Sequence, residues 1–121
     1  MDNSTFLDAA AKVREVRVVV RTRQGEVRTP IWIVVVGREV FVRSYRADGG
    51  QWYQHVTSSE SFPLELRGEL VSVRTEPEHD AQRLEEISEA YLAKYAGEPE
   101  VADMVSSPVV ATTLRLVPIE Q

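Results

Sequence analysis

Arg43-Ser44-Tyr45-Arg46 offers two planar guanidinium forks and two hydroxyls at the end of a strand, and Gly49-Gly50 and Gln51-Trp52-Tyr53 follow at once. A guanidinium fork matches the oxygens of a phosphate two at a time. Ser44 and the backbone amides after the glycine pair add neutral donors. A helix starting at Gln51 turns its positive end toward the same anion. The chemistry implied is recognition of a negatively charged group. Upstream, Thr29, Ile31 and Ile33 share one face of a neighbouring strand, where a flat ring can lie against backbone and apolar side chains. Trp32 or Trp52 can stack on that ring or border it. Two plainer readings stand beside these: core packing for the tryptophans, and decoration of solvent-facing strands for any single arginine.

Side-chain catalysis finds little support. His55 and His79 lie far apart, and neither has a neighbour at metal-ligand spacing, so no metal site is expected. The sequence contains no cysteine, no GxSxG elbow, no P-loop and no Rossmann glycine pattern. Catalytic residues stay unassigned, and a bound cofactor is the expected carrier of any reaction.

Charge is segregated along the 121 residues. Between residues 13 and 46, Arg14, Arg17, Arg21, Arg23, Arg28, Arg38, Arg43 and Arg46 face only Glu15, Glu26 and Glu39. From 60 to 104 acids dominate, and the net charge is −5. An acidic protein repels nucleic acid at long range, so a local arginine cluster fits a small anionic or aromatic ligand better. The apolar run Ile31–Val36 is too short to span a bilayer, and the N-terminus lacks a basic leader pattern. The expectation is a cytoplasmic protein with neither nucleic-acid nor membrane partner.

The elements that must position these groups follow from periodicity. Ser4 caps a helix over Thr5–Lys12. Glu15–Arg23 alternates valines with arginines, the mark of a half-buried strand, and Gln24-Gly25 turns it. Glu26–Val36 is a second strand, apolar on both faces from Ile31 onward, with Pro30 at an edge or bulge. Gly37-Arg38 turns into Glu39–Tyr45, and a helix covers Gln51–Ser59. Phe62–Glu76 changes phase at Arg67-Gly68, so it reads as two strands joined by a hairpin turn. Glu78–Ala96 is the strong helix, capped by Asp80 and stopped by Gly97. A short helix from Pro99 to Val105 and a last strand over Val109–Pro118 complete one domain, 1–121. The fold class is mainly β with helices, a six-stranded antiparallel split β-barrel. The doubly apolar strand asks for more cover than one chain readily gives, so a homodimer is expected.

Four segments, RTPIWIVVVGREVFVRS, GGQWY, AYLAKYAG and ATTLRLVP, carry a family likeness over residues 15–118. The chain resembles the flavin-binding split β-barrels of the pyridoxamine 5′-phosphate oxidase-like superfamily. Within that group it is most similar to an uncharacterised bacterial family, domain of unknown function 2255. It also resembles the deazaflavin-dependent nitroreductase-like branch. The resemblance implies a dimer holding FMN or the deazaflavin F420 in a groove between subunits. It implies that Thr29, Pro30 and Ile31 border the ring system, and that Arg43, Ser44, Gly50, Gln51 and Trp52 approach the phosphate. Arg46 joins that set from the residue chemistry alone. The C-terminal arginine motif of the oxidases proper is missing. The functional expectation is thus a flavin- or deazaflavin-binding oxidoreductase-like protein. The alternative is a non-catalytic split-barrel dimer that binds another small ligand.

Overall fold

Where the second strand was expected to run unbroken from Glu26 to Val36, the chain bends at Trp32-Ile33 and makes two strands. The computed structural model describes residues 1–119. In order they form α1 (Asn3–Lys12), β1 (Val16–Thr22), β2 (Gly25–Ile31), β3 (Val34–Val36) and β4 (Glu39–Val42). A single 3-10 turn (Ala47–Gly49) leads to α2 (Gln51–Thr57), then β5 (Phe62–Leu66), β6 (Glu69–Pro77) and α3 (Ala81–Lys94). Two one-turn helices, α4 (Val101–Met104) and α5 (Ser107–Val110), precede β7 (Leu114–Pro118).

All pairings are antiparallel, in the order β2-β1-β5-β6-β7-β4-β3. The two edge strands are neighbours in sequence, separated only by Trp32 and Ile33. One sheet can meet that condition only by curling until its edges approach. The result is a barrel-like, mainly β fold with seven strands. The expected count of six is corrected by the bend.

The bend leaves backbone groups of Ile33 without ladder partners, and buried backbone groups need partners. They find them at the end of α3. The Tyr95 hydroxyl accepts from Ile33 N at 2.9 Å and lies 2.7 Å from Arg14 O and 3.0 Å from Ile33 O. Lys94 Nζ donates to Ile33 O at 2.7 Å and to Ala10 O at 3.1 Å. Trp32 stacks on the Tyr95 ring, centroids 4.1 Å apart and planes 5° from parallel.

Inside the curl, Val16, Val18, Ile31, Val40, Val42, Leu64, Leu66, Val73 and Leu116 form the main core. Phe6, Ala9 and Ala10 of α1 pack into it. Asp2 caps α1 by accepting from Thr5 N at 2.8 Å, two residues earlier than the expected Ser4. A second core lies outside the sheet, where Val34 and Phe41 meet Ile87 and Tyr91 of α3 and the following residue Tyr95. The cover that the sequence suggested one chain could not readily give is thus supplied on this face by α3 of the same chain.

Asp80 caps α3 as expected, accepting from Arg83 N at 2.9 Å. The turn at Arg67-Gly68 is also present, with φ of 54° and 79°. Two successive left-handed residues match the right-handed twist of a hairpin. Strand boundaries also moved: the strand expected over Glu39–Tyr45 ends at Val42, which leaves Arg43 to Tyr45 in the following loop. Residues 107–110 are helical because Pro108 sits in a first turn, where its missing N–H costs nothing, so the last strand starts at Leu114 rather than Val109.

Burial, and secondarily the charge of Arg14, lowers the Lys94 ammonium from its ordinary 10.5 to about 8. Between those values the unfolded chain holds a proton that the folded chain has released, so protons favour unfolding there. Stability contributed through Lys94 is therefore lowest below pH 8 and is recovered as pH rises. The expected outcome is that wild type gains urea resistance relative to Lys94→Met between about pH 7.5 and about pH 9.5. The window stops short of pH 10, where tyrosines of the unfolded chain begin to ionise. Parallel titrations of both proteins would refute this.

Candidate functional site

A cleft of about 580 Å³ opens where the end of β2 faces the loop after β4 and the segment after α3. That volume lies within the range of pockets that hold cofactor-sized ligands. Eight of the nine residues singled out from the sequence line it: Thr29, Pro30, Ile31, Arg43, Arg46, Gly50, Gln51 and Trp52. Ser44 lies outside the cleft. Glu15, Trp32, Tyr45, Glu98, Glu100 and Met104 complete the lining.

The strand bend produces the first wall. Thr29, Pro30 and Ile31 end β2 where it pairs with β1, Trp32 follows at the bend, and Pro30 stands opposite Arg17. Ile31 is largely buried, while Trp32 is half-exposed and fixed by its stack on Tyr95. Ile33, expected on the same ring-facing surface, is fully buried in the core.

The second wall is the loop Arg43–Gln51, and here the residues play other parts than their types implied. Arg43 is 1% exposed. Its Nε donates to Thr113 Oγ1 at 2.8 Å, Nη1 to Ser88 Oγ at 2.8 Å and Met104 O at 3.0 Å, and Nη2 to Leu84 O at 3.0 Å. The guanidinium also lies over the Tyr91 ring, 5.4 Å from its centroid. One buried side chain thus ties the loop to α3, α4 and the approach to β7. No carboxylate pairs with it among the described residues, and burial lowers its pKa. A buried cation held only by neutral acceptors adds positive potential to the cleft floor. It is not a fork open at the rim, which corrects that expectation.

Ser44 is likewise interior. Its N–H donates to Thr112 Oγ1 at 2.9 Å and its hydroxyl to Ala47 O at 2.6 Å. That bond supports Ala47 in a left-handed conformation, φ 54°, which a residue with a Cβ seldom adopts. Gly50 leaves room for this bond, since a Cβ there would stand 2.5 Å from Ser44 Oγ and push the hydroxyl aside. Arg46 is exposed and forms no ion pair among the described residues, unlike Arg17, Arg21 and Arg28, which pair with Glu26 or Glu65 on the strand surface. Trp52 is 8% exposed and packs into the core, so little of it reaches the cleft.

The third wall, Glu98 to Met104, was not legible as part of a site. Its acids sit about fifty residues from the arginine loop in a strongly acidic half of the chain, and only the fold brings them together. Glu98 pairs with Arg14 at 3.3 Å. The Tyr45 hydroxyl donates to Asp103 at 3.0 Å, and that bond first, then nearby negative charge, raises its pKa. Among the described residues no group of three His, Cys, Asp or Glu side chains is placed to hold a metal, and no helix is long and apolar enough to cross a membrane.

The expected consequence of the Arg43 geometry is structural. Arg43→Ala removes four hydrogen bonds and takes the guanidinium donor from Met104 O at the end of α4, while Leu84 O keeps its partner within α3, and costs on the order of 3 kcal/mol in urea unfolding. Arg43→Lys restores only part, because an ammonium cannot fork toward acceptors on three segments. Full stability of the alanine variant would contradict this role.

Solved structures share the fold. Conserved hypothetical protein Rv2991 from Mycobacterium tuberculosis superposes with a TM-score of 0.60 at 14% identity, over 99% of this chain and 80% of that one. The FAD and heme binding protein from Mycobacterium smegmatis superposes with a TM-score of 0.55 at 15% identity, over 98% and 67% respectively. No functionally curated protein matches in sequence. The bent strand, the arginine loop and the long helix all fall within residues 6–116, which match the family described as uncharacterized protein conserved in bacteria, DUF2255, and the chain belongs to that family.

Proposed function

We propose that the cleft binds a flavin-type cofactor, FMN or F420, and that the protein serves as an oxidoreductase whose substrate the cofactor meets at the open side. One observation carries this reading: the cleft holds a buried arginine with no carboxylate partner beside an exposed arginine that is also unpaired. The arginine end of the lining favours an anionic group. Arg46 is the residue free to meet a phosphate, and Gln51 and the backbone at Gly50 lie in the same lining. Arg43 and Ser44 act from behind, one through its charge and one by fixing the loop. Thr29, Pro30, Ile31 and Trp32 offer a flat wall to a ring system. The mycobacterial structure whose name gives FAD as a ligand lends support from shared fold alone. A bound flavin would supply the electron or hydride transfer, while this chain holds and orients it.

A second reading, a non-catalytic binding module, is favoured by the lining itself. It contains no histidine, cysteine or lysine, and its only hydroxyls are those of Thr29 and Tyr45. The Tyr45 hydroxyl is engaged with Asp103. We also propose a homodimer, since the cleft is open and the edge strand β2 leaves Val27 53% exposed. Light scattering at micromolar concentration checks it, with a monomer as the contrary result.

Titration of the purified protein with FMN and with F420, followed by fluorescence quenching, should give saturable binding. Arg46→Ala should weaken it about tenfold or more, the usual worth of a charge-assisted hydrogen bond. Absence of saturable binding by either cofactor overturns the flavin reading. Binding that is indifferent to Arg46 moves the phosphate elsewhere.

A further inference from the structure

The cleft lining is divided by charge. Arg46, with Arg43 behind it, belongs to the loop that also contributes Gly50 and Gln51. Glu98 and Glu100 come from the segment after α3, and Glu15 precedes β1, where the register Val16↔Ile31 places it beside Trp32. Arg14 partly neutralises Glu98, but the side chains of Glu15 and Glu100 have no ion-pair or hydrogen-bond partner among the described residues. The Tyr45–Asp103 hydrogen bond holds the acidic segment against the arginine loop, so the two charge signs face one shared space.

We infer that Glu15 and Glu100 form a charge filter on the flavin site proposed above. The filter admits a flavin whose negative charge is confined to one terminal phosphate and disfavours one with an extended polyanionic tail, whether a dinucleotide or an oligoglutamyl chain. The inference rests on that reading of the cleft and narrows it toward FMN. One exposed, unpaired guanidinium answers one phosphate. Each further anionic group on a longer tail has no second free cation in the lining and lies in the field of carboxylates that no partner neutralises. Repulsive elements of this kind select among ligands more than they strengthen the preferred one. Both carboxylates are exposed, so replacing them leaves the core intact.

The test titrates the flavin-free full chain with riboflavin, FMN, FAD and F420, for wild type and for the double variant Glu15→Gln, Glu100→Gln. Wild type should bind FMN about tenfold or more tighter than FAD and F420. The double variant should gain about tenfold toward both polyanions and less than about threefold toward FMN. High salt should narrow the wild-type preference, because exposed charges are screened. FAD or F420 binding wild type as tightly as FMN overturns the filter, as does a preference the double variant leaves unchanged. In either case the flavin reading itself stands. Binding of none of the four flavins to either protein overturns the flavin reading and the filter with it.

Discussion

The anchoring of Ile33 by the end of α3 is the constraint on which the rest of this structure depends. A strand that serves both edges of one sheet must change direction, and the change exposes a buried amide and carbonyl to an apolar interior. Leaving such groups unpaired costs about 1–3 kcal/mol each, a large share of the stability of a small domain. Tyr95 and Lys94 meet both groups, and the Tyr95 ring supports Trp32. The same contacts therefore close the barrel and set the wall of the cleft. The curl of the sheet and the shape of the cleft are joined at one dipeptide.

This explains which features were legible in the sequence. Alternation along β1 and the phase change at Arg67-Gly68 are local signals, and a side chain's direction in a strand depends only on parity. Both appear as read. The bend at Trp32-Ile33 left no such signal. Its residues are apolar and β-compatible, and the groups that compensate it lie more than sixty positions away. Periodicity cannot report a backbone partner so distant. The strand count was misread for that reason.

The candidate site was legible by membership and less so by role. Residue type pointed to Arg43 as an anion-binding fork, yet side-chain chemistry cannot distinguish a guanidinium that faces solvent from one that satisfies carbonyls in a core. What decides is the number of acceptors nearby: Leu84 O, Met104 O, Ser88 Oγ and Thr113 Oγ1 all converge on it. Arg46, three residues on, has none of these. The acidic wall was missed for a different reason. Glu98 and Glu100 flank a proline in a charged stretch, a pattern that ordinarily marks a solvated loop.

Ser44, Ala47 and Gly50 lock the path of the arginine loop through a hydroxyl-to-carbonyl bond and a glycine that no larger residue can replace without displacing that hydroxyl. The positions between and beside them, Tyr45, Arg46 and Gln51, project outward and bear none of that burden. Such a division separates the side chains that shape the loop from those that face outward. A substitution at an outward position would change what the loop presents to the cleft, whereas one at Ser44 or Gly50 would shift the course of the backbone itself.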